Sequence, residues 1–312
     1  MAKVLITSEY FCKFADKARK ILTDAGHTVI DNPYGHTFLS PEMIIPYVEE
    51  ADALVCDLEK INANVLAHAK NLKIIARRGV GVDSVDMKVC KERGIEVART
   101  VGLVEKPVAE LVMAYILGFS RKTDILNRDM HAGVWEKVIG HSLFGKTLGI
   151  IGMGNIAGEV ARRAQSFDMN IVYYDIERKP EAEKKTGAIY QPLEKLLAES
   201  DFVTVHMPLN ESTRDFIGYK QMCCMKKTAF LINTARGGIV NEEDLAKAAS
   251  EGKIAGAAID VFDREPKTDS PLKNCENVVI TPHVATFTIE TFIAMDEASA
   301  QNIVDYFKKE EK

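Results

Sequence analysis

Two stretches of the 312-residue chain carry residue types whose spacing could do chemistry. The first is Thr147–Asp175, TLGIIGMGNIAGEVARRAQSFDMNIVYYD, in which an apolar run feeds Gly152-Met153-Gly154 and a second apolar run ends on Asp175. Gly152 suits the tight turn after a strand, Gly154 lets backbone approach a pyrophosphate, and Ala157 permits close helix–strand packing. The helix start at Asn155 and Ile156 would offer unpaired N–H groups to the phosphates. Asp175, about 20 residues on, could accept hydrogen bonds from both ribose hydroxyls and would repel the extra phosphate of NADP. The pattern therefore predicts an NAD site. Arg178 is the competing detail, because it could pair with Asp175 or accept a 2′-phosphate. The second stretch is FLINTARGGIVNEE, where Arg236 stands between an apolar run and Gly237-Gly238. A long cation at a strand end beside a permissive turn could point into a cleft and hold an anion. It could also be a solvated surface arginine.

Positioning such residues needs a regular frame, and the chain alternates β-rich runs with helical patterns almost from end to end. Lys3–Thr7, Thr28–Ile30, Ala53–Cys56 and Lys73–Ala76 read as strands, with helices over Lys13–Ala25, Pro41–Glu50 and Asn62–Ala69. Alternation of this kind predicts parallel α/β layers. The rhythm breaks near Arg99–Lys106. Pro107 then opens one long helical pattern, PVAELVMAYILGFSRKTDILNRDMHAG, stopped by Gly133. Its broad apolar face suits packing between domains or subunits. A second series follows: Thr147–Ile151, Ile171–Tyr174, Phe202–His206, Phe230–Asn233, Gly256–Asp260 and Val278–Thr281, then a final helix from Ile289 to Lys308.

The length suits about two domains. A net charge of −5 argues against nucleic acid or an anionic membrane surface as the main partner. The longest nearly apolar stretch, Ala109–Phe119, contains Glu110 and is far shorter than the ~20 residues that span a bilayer. The start shows no export signal, and Cys12, Cys56, Cys90, Cys223, Cys224 and Cys275 have no C-x-x-C spacing. Reduced cysteines in a cytoplasmic protein are the expectation, and no metal is expected.

Downstream of the glycine signature the chain resembles the D-isomer-specific 2-hydroxyacid dehydrogenase family. The resemblance rests on His206-Met207-Pro208-Leu209 with Thr213, Asn233-Thr234-Ala235-Arg236-Gly237-Gly238, Ala257–Phe262 with Glu265-Pro266, and Thr281-Pro282-His283. Gly79–Asp83 and Val108-Ala109-Glu110 extend it into the first part of the chain. It implies an α/β fold of two Rossmann-like domains with parallel sheets. One is a flavodoxin-like substrate-binding domain over 1–101, completed by the helix of 286–312; the other is an NAD-binding domain over 102–285. Arg236 is similar to the family's substrate arginine, Glu265 to its acid and His283 to its proton donor. A planar guanidinium suits a 2-oxo acid better than a lysine point charge, and an imidazole steadied by a carboxylate can exchange a proton near neutral pH. The resemblance further implies NAD contacts at Val108, His206, Pro208, Thr213, Thr234, Ala235 and Asp260, with Asp260 on the nicotinamide amide. Backbone N–H groups at Val80 and Gly81 would meet the substrate carboxylate. The sequence departs from the family at Thr100-Val101, where many members have a proline, and at Val284–Phe287, which is bulkier than usual.

Among relatives, the compact length and the segment Arg77–Asp83 look most like D-3-phosphoglycerate dehydrogenases without a regulatory domain. In that reading Arg77 or Arg78 would bind a substrate phosphate. Glyoxylate or hydroxypyruvate reduction and D-lactate formation are the alternatives, with a homodimer joined through Pro107–Met130. A reading of another class, an NAD-responsive binding module like the C-terminal-binding-protein corepressors, expects a peptide-docking surface and long disordered extensions.

Overall fold

Runs such as ALVC and IIAR are buried along their whole length, which requires a parallel sheet covered on both faces. The structure, a computed structural model, describes residues 1–310 and divides into two units, one of residues 1–104 with the chain from Thr286 on, the other of residues 105–285. The first unit starts with β1 (Lys3–Ile6), α1 (Lys17–Asp24), β2 (Thr28–Ile30), α2 (Pro41–Val48) and β3 (Ala53–Cys56). It continues with α3 (Ala63–His68), β4 (Ile74–Arg77), α4 (Met87–Arg93) and β5 (Glu96–Arg99). These strands form one five-stranded parallel sheet in the order β2-β1-β3-β4-β5.

Side chains alternate across this sheet as the pleat dictates. Leu5, Leu54 and Ile75 face a core with Ile44, Val48 and Leu66. Val4, Ile6 and Val55 face the other, with Leu22, Ile303 and Val304. The last two belong to the terminal helix, so the chain's final element covers one face of the sheet with which it began.

The second unit opens with α5 (Glu105–Arg121) and α6 (Thr123–His131), then β6 (Thr147–Ile151), α7 (Asn155–Gln165), β7 (Asn170–Tyr174), α8 (Pro180–Thr186) and β8 (Ile189–Tyr190). It goes on through α9 (Leu193–Glu199), β9 (Phe202–Val205), α10 (Tyr219–Cys223), β10 (Phe230–Asn233), α11 (Glu242–Ser250), β11 (Gly256–Ile259) and β12 (Val278–Ile280). The terminal helix of the first unit is α12 (Ile289–Glu310). Seven parallel strands run in the order β12-β11-β10-β9-β6-β7-β8. The winding reverses between β6 and β9, and the carboxyl ends of strands at such a switch point form the ligand crevice of open α/β sheets.

Four elements differ from expectation. The long helix predicted from Pro107 is two helices, because Lys122 adopts left-handed backbone (φ 53°) and Thr123-Asp124 begins a new one. Strands β5 and β8 had no counterpart in the sequence reading. β8 is short and pairs through only Ile189 and Tyr190, while β5 is a four-residue run, EVAR, with a charged residue at each end. The helix expected from Lys13 starts at Lys17.

Candidate active site

In the second unit, β6 is followed by Gly152, whose φ of +91° is open to glycine and strained for other residues. A Cβ there would lie 2.7 Å from the His206 carbonyl oxygen, so the turn also needs glycine for close packing. Gly154 precedes α7 in extended backbone, and a Cβ added to it would meet nothing within 4 Å. Open space therefore stands over the helix N-terminus at Asn155 and Ile156. Ala157 is fully buried, with Val160 and Ala161, in the core behind the turn. Asp175 follows β7, and its Oδ2 accepts the Met153 N–H at 2.9 Å, which joins the carboxylate to the glycine turn. Arg178 does not pair with Asp175. It binds Glu183 at 2.8 and 2.9 Å.

The loops after β9 and β10 complete the nucleotide side. Pro208 is exposed, and the Thr213 hydroxyl donates to its carbonyl at 2.6 Å, closing the loop. His206 is half-buried; its ring meets the Thr204 hydroxyl at 2.9 Å, and burial pushes the imidazole down to about 4, so it is neutral at pH 7. Thr234 is buried with no partner for its hydroxyl. A buried polar atom without a partner costs about 1–3 kcal/mol, and a ligand that supplies one recovers it. Ala235 is half-buried, while Val108 is buried within α5. The open space at Gly154, the carboxylate of Asp175 and the unpartnered Thr234 hydroxyl fit a dinucleotide.

Arg236 sits in a loop whose shape is set by Asn233. The Asn233 side chain accepts the Ala235 N–H at 3.0 Å and donates to the Arg236 carbonyl at 2.9 Å, a turn that asparagine at a strand end makes readily. Arg236 is half-buried and donates to the Ala235 carbonyl at 2.7 Å. Gly237 has its backbone so close to Phe262 that an added Cβ would overlap the Phe262 carbonyl. That contact seats the arginine loop against the segment carrying Glu265.

Glu265 and His283 meet directly, with Oε2 2.6 Å from Nδ1. The other carboxylate oxygen accepts the Phe262 N–H at 2.9 Å. Burial opposes the charge on Glu265, but the His283 bond and charge, the Phe262 N–H and the Arg236 guanidinium outweigh it and hold the carboxyl below the usual range. About a quarter of each side chain is exposed, so the pair is open to a reactant (24% and 28%). His283 lies at φ 54°, an uncommon conformation for a side chain of its size.

Asp260 holds that conformation in place. Its carboxylate accepts from the Thr281 hydroxyl at 2.6 Å and from the N–H groups of Val284 and Ala285 at 2.8 and 2.9 Å. Tyr115 of α5 in turn meets the Thr281 hydroxyl at 2.6 Å. Asp260 has no exposed surface, so its main role here is to shape the His283 segment; a nicotinamide contact would be an addition to these bonds.

Sequence reasoning missed Asn233, Tyr115 and Glu242 as residues that build this site. Glu242, opening α11, accepts the Asp263 N–H at 3.1 Å and the Ser270 hydroxyl at 2.7 Å, and pairs with Lys267 at 3.1 Å. It thereby pins both sides of the loop carrying Glu265. Its only sequence signal was an acidic residue at a helix start.

The first unit holds the remaining residues. Val80 and Gly81 are half-buried in the turn after β4. Arg77 and Arg78, expected as candidates for a substrate phosphate, lie within the first unit. The Arg78 side chain has no exposed surface and pairs with Asp57 and Asp296, each at 2.6 Å. These bonds use Nε and Nη1, while the buried Nη2 has no partner among the described residues. Arg77 is buried as well and donates to the Arg78 carbonyl.

A switch-point crevice with a glycine turn, a strand-end carboxylate and a nearby carboxylate–imidazole pair defines a dinucleotide-dependent dehydrogenase of α/β fold. Residues 113–285 match the family described as D-isomer specific 2-hydroxyacid dehydrogenase, NAD binding domain. A glyoxylate reductase of Korarchaeum cryptofilum is 43% identical over 87% of this chain and 84% of its own. A D-3-phosphoglycerate dehydrogenase of Methanocaldococcus jannaschii is 36% identical over 97% of this chain and 57% of its own. The crystal structure of Aquifex aeolicus D-lactate dehydrogenase, in complex with NAD and lactic acid, aligns with a TM-score of 0.85 and 25% identity, over 98% of this chain and 96% of that one. The chain belongs to the D-isomer-specific 2-hydroxyacid dehydrogenase family and is an NAD-dependent enzyme acting on a D-2-hydroxy acid and its 2-oxo acid.

Proposed function

We propose that the chain reduces a small 2-oxo acid without a phosphate, of the size of glyoxylate or hydroxypyruvate, with Arg236, Glu265 and His283 acting on it. The observation that carries this reading is the burial of Arg77 and Arg78, which removes the cations that a phosphate-bearing substrate would have used. The glyoxylate reductase among its relatives supports the same choice.

Bound NADH would supply the hydride for the carbonyl carbon. Asp175 would hold its ribose, the start of α7 its phosphates, and the Thr234 hydroxyl would gain a partner. Negative charge grows on the carbonyl oxygen as the bond forms, and His283 gives it a proton from Nε2. Glu265 keeps the other ring proton on Nδ1, so only Nε2 exchanges with the substrate. The Arg236 fork suits the carboxylate and the carbonyl oxygen, and the backbone N–H groups of Val80 and Gly81 suit a carboxylate. In the oxidative direction neutral His283 accepts the hydroxyl proton.

NADH oxidation with glyoxylate, hydroxypyruvate, pyruvate and 3-phosphohydroxypyruvate tests the substrate class. Glyoxylate or hydroxypyruvate should exceed the phosphorylated acid in kcat/KM by about tenfold or more, the equivalent of about 1.4 kcal/mol. The opposite order would end the proposal.

A homodimer is the assembly we infer. None of the residues of α6 is buried, and the segment after it exposes Trp135, Ile139 and Phe144 by 79%, 89% and 73%. This apolar series lies beyond the Pro107–Arg121 stretch, whose apolar face is already used inside the unit. A second copy offering the same series would cover it in a two-fold contact. Sedimentation should show a species of twice the 34.6 kDa chain mass, and a monomer at micromolar concentration would exclude it. The six unpaired cysteines suit the cytoplasmic location expected for the enzyme.

A further inference from the structure

Arg78 stands immediately before Gly79-Val80-Gly81, and its partners come from separate parts of the first unit. Its Nε donates to Asp296 of α12 at 2.6 Å. Its Nη1 donates to both oxygens of Asp57, just past β3, at 2.6 Å, and to the Ser8 hydroxyl, just past β1, at 3.0 Å. The guanidinium also lies over the Phe292 ring of α12, 5.1 Å from its centroid. Asp296 is held in turn by the Cys12 N–H at 2.9 Å.

The backbone beside Arg78 is fixed just as closely. Its N–H donates to the Cys56 carbonyl at 2.9 Å, and its own carbonyl accepts from the Arg77 guanidinium. Arg77 lies against Gly79, whose φ is +140° and whose added Cβ would overlap that guanidinium. The Gly79 carbonyl accepts the Thr100 N–H at 3.0 Å. Val80 then packs with Val104, Phe292 and Met295. The loop therefore begins from a backbone position set by a charge cluster that spans β1, β3, β4 and α12. A single Lys ammonium could not make these bonds, since only the arginine fork donates in several fixed directions at once.

We propose that Arg78 is a positioning residue for substrate capture: paired with Asp57 and Asp296, it fixes the Gly79–Gly81 backbone that receives the 2-oxo acid's carboxylate. The inference rests on the proposed role of that loop. The ion cluster touches no reacting atom and acts only through the loop's placement.

Steady-state kinetics with glyoxylate at saturating NADH, together with NADH titration, test it in Arg78→Met, Arg78→Lys and Asp296→Asn. Misplacement of a binding group by about 1 Å can cost about 100-fold, so kcat/KM should fall by about 10–100-fold. The loss should lie in KM, with kcat and NADH affinity near the parent values, and Arg78→Lys should recover part of it. A merely structural role would lower the unfolding temperature and leave KM unchanged, and that result overturns the proposal. If Arg78→Met does not fold, Asp296→Asn decides, since it keeps the shape and an acceptor oxygen while removing the charge. Gly79→Ala, which disturbs the loop directly, separates the two ideas. Raised KM in Gly79→Ala with parental KM in Asp296→Asn refutes the positioning role alone. Parental KM in both refutes the loop's role as well.

Discussion

His283→Asn should lower kcat by about 10²–10⁴-fold, the usual worth of a positioned acid–base group, and leave NADH affinity close to that of the parent enzyme. Asparagine is the informative replacement because His283 sits at φ 54°, a region where asparagine is tolerated better than most residues. The segment should keep its path, since the Asp260 bonds to Val284 and Ala285 go to backbone and do not involve the imidazole. What disappears is the proton carried on Nε2. Glu265→Gln should show a smaller loss of the same kind, because an amide can still meet Nδ1 but no longer supports a positive ring. Turnover close to the parent's in His283→Asn would leave the reaction without its assigned proton donor.

Arg236→Ala should reduce kcat/KM for the 2-oxo acid by about 10²–10⁴-fold. Each hydrogen bond to a charged group is worth about 1.5–3 kcal/mol, and the proposed fork makes two. Arg236→Lys should recover little, as an ammonium cannot span carboxylate and carbonyl together. The guanidinium also helps hold the Glu265 carboxyl ionised. Its loss should therefore lower kcat as well as raise KM. Near-parental kinetics in Arg236→Ala would remove the clamp from the mechanism.

Much of this site was legible in the sequence because its residues sit where local rules are strict. The turn at Gly152 needs positive φ, and Asp175 ends a strand that the hydrophobic pattern marks clearly. Arg236 alone left two readings open, and only its place in a longer ordered pattern separated them. The structure adds the reason: Gly237 brings the loop against Phe262, a contact between distant segments that spacing cannot reveal. Arg78 shows the same limit from the other side. By sequence it is a strand-end cation beside a glycine loop, and its carboxylate partners lie at positions 57 and 296. No local pattern connects them. The break at Lys122 was hidden because helical spacing continues across it, while β8 was too short to register as a strand.

The return of α12 to the first sheet bears on how the protein is made. Residues 105–285 are contiguous and can fold as a body while the ribosome is still adding the tail, as domains generally do during synthesis. The amino-terminal sheet, though translated earlier, has to wait: until the last stretch emerges, one of its faces lacks Ile303 and Val304, and Arg78 lacks Asp296. Birth order and maturation order are thus reversed, and a nascent chain stalled before position 296 would expose greasy surface beside a guanidinium that has only one of its two carboxylate partners, a form suited to recognition by chaperones.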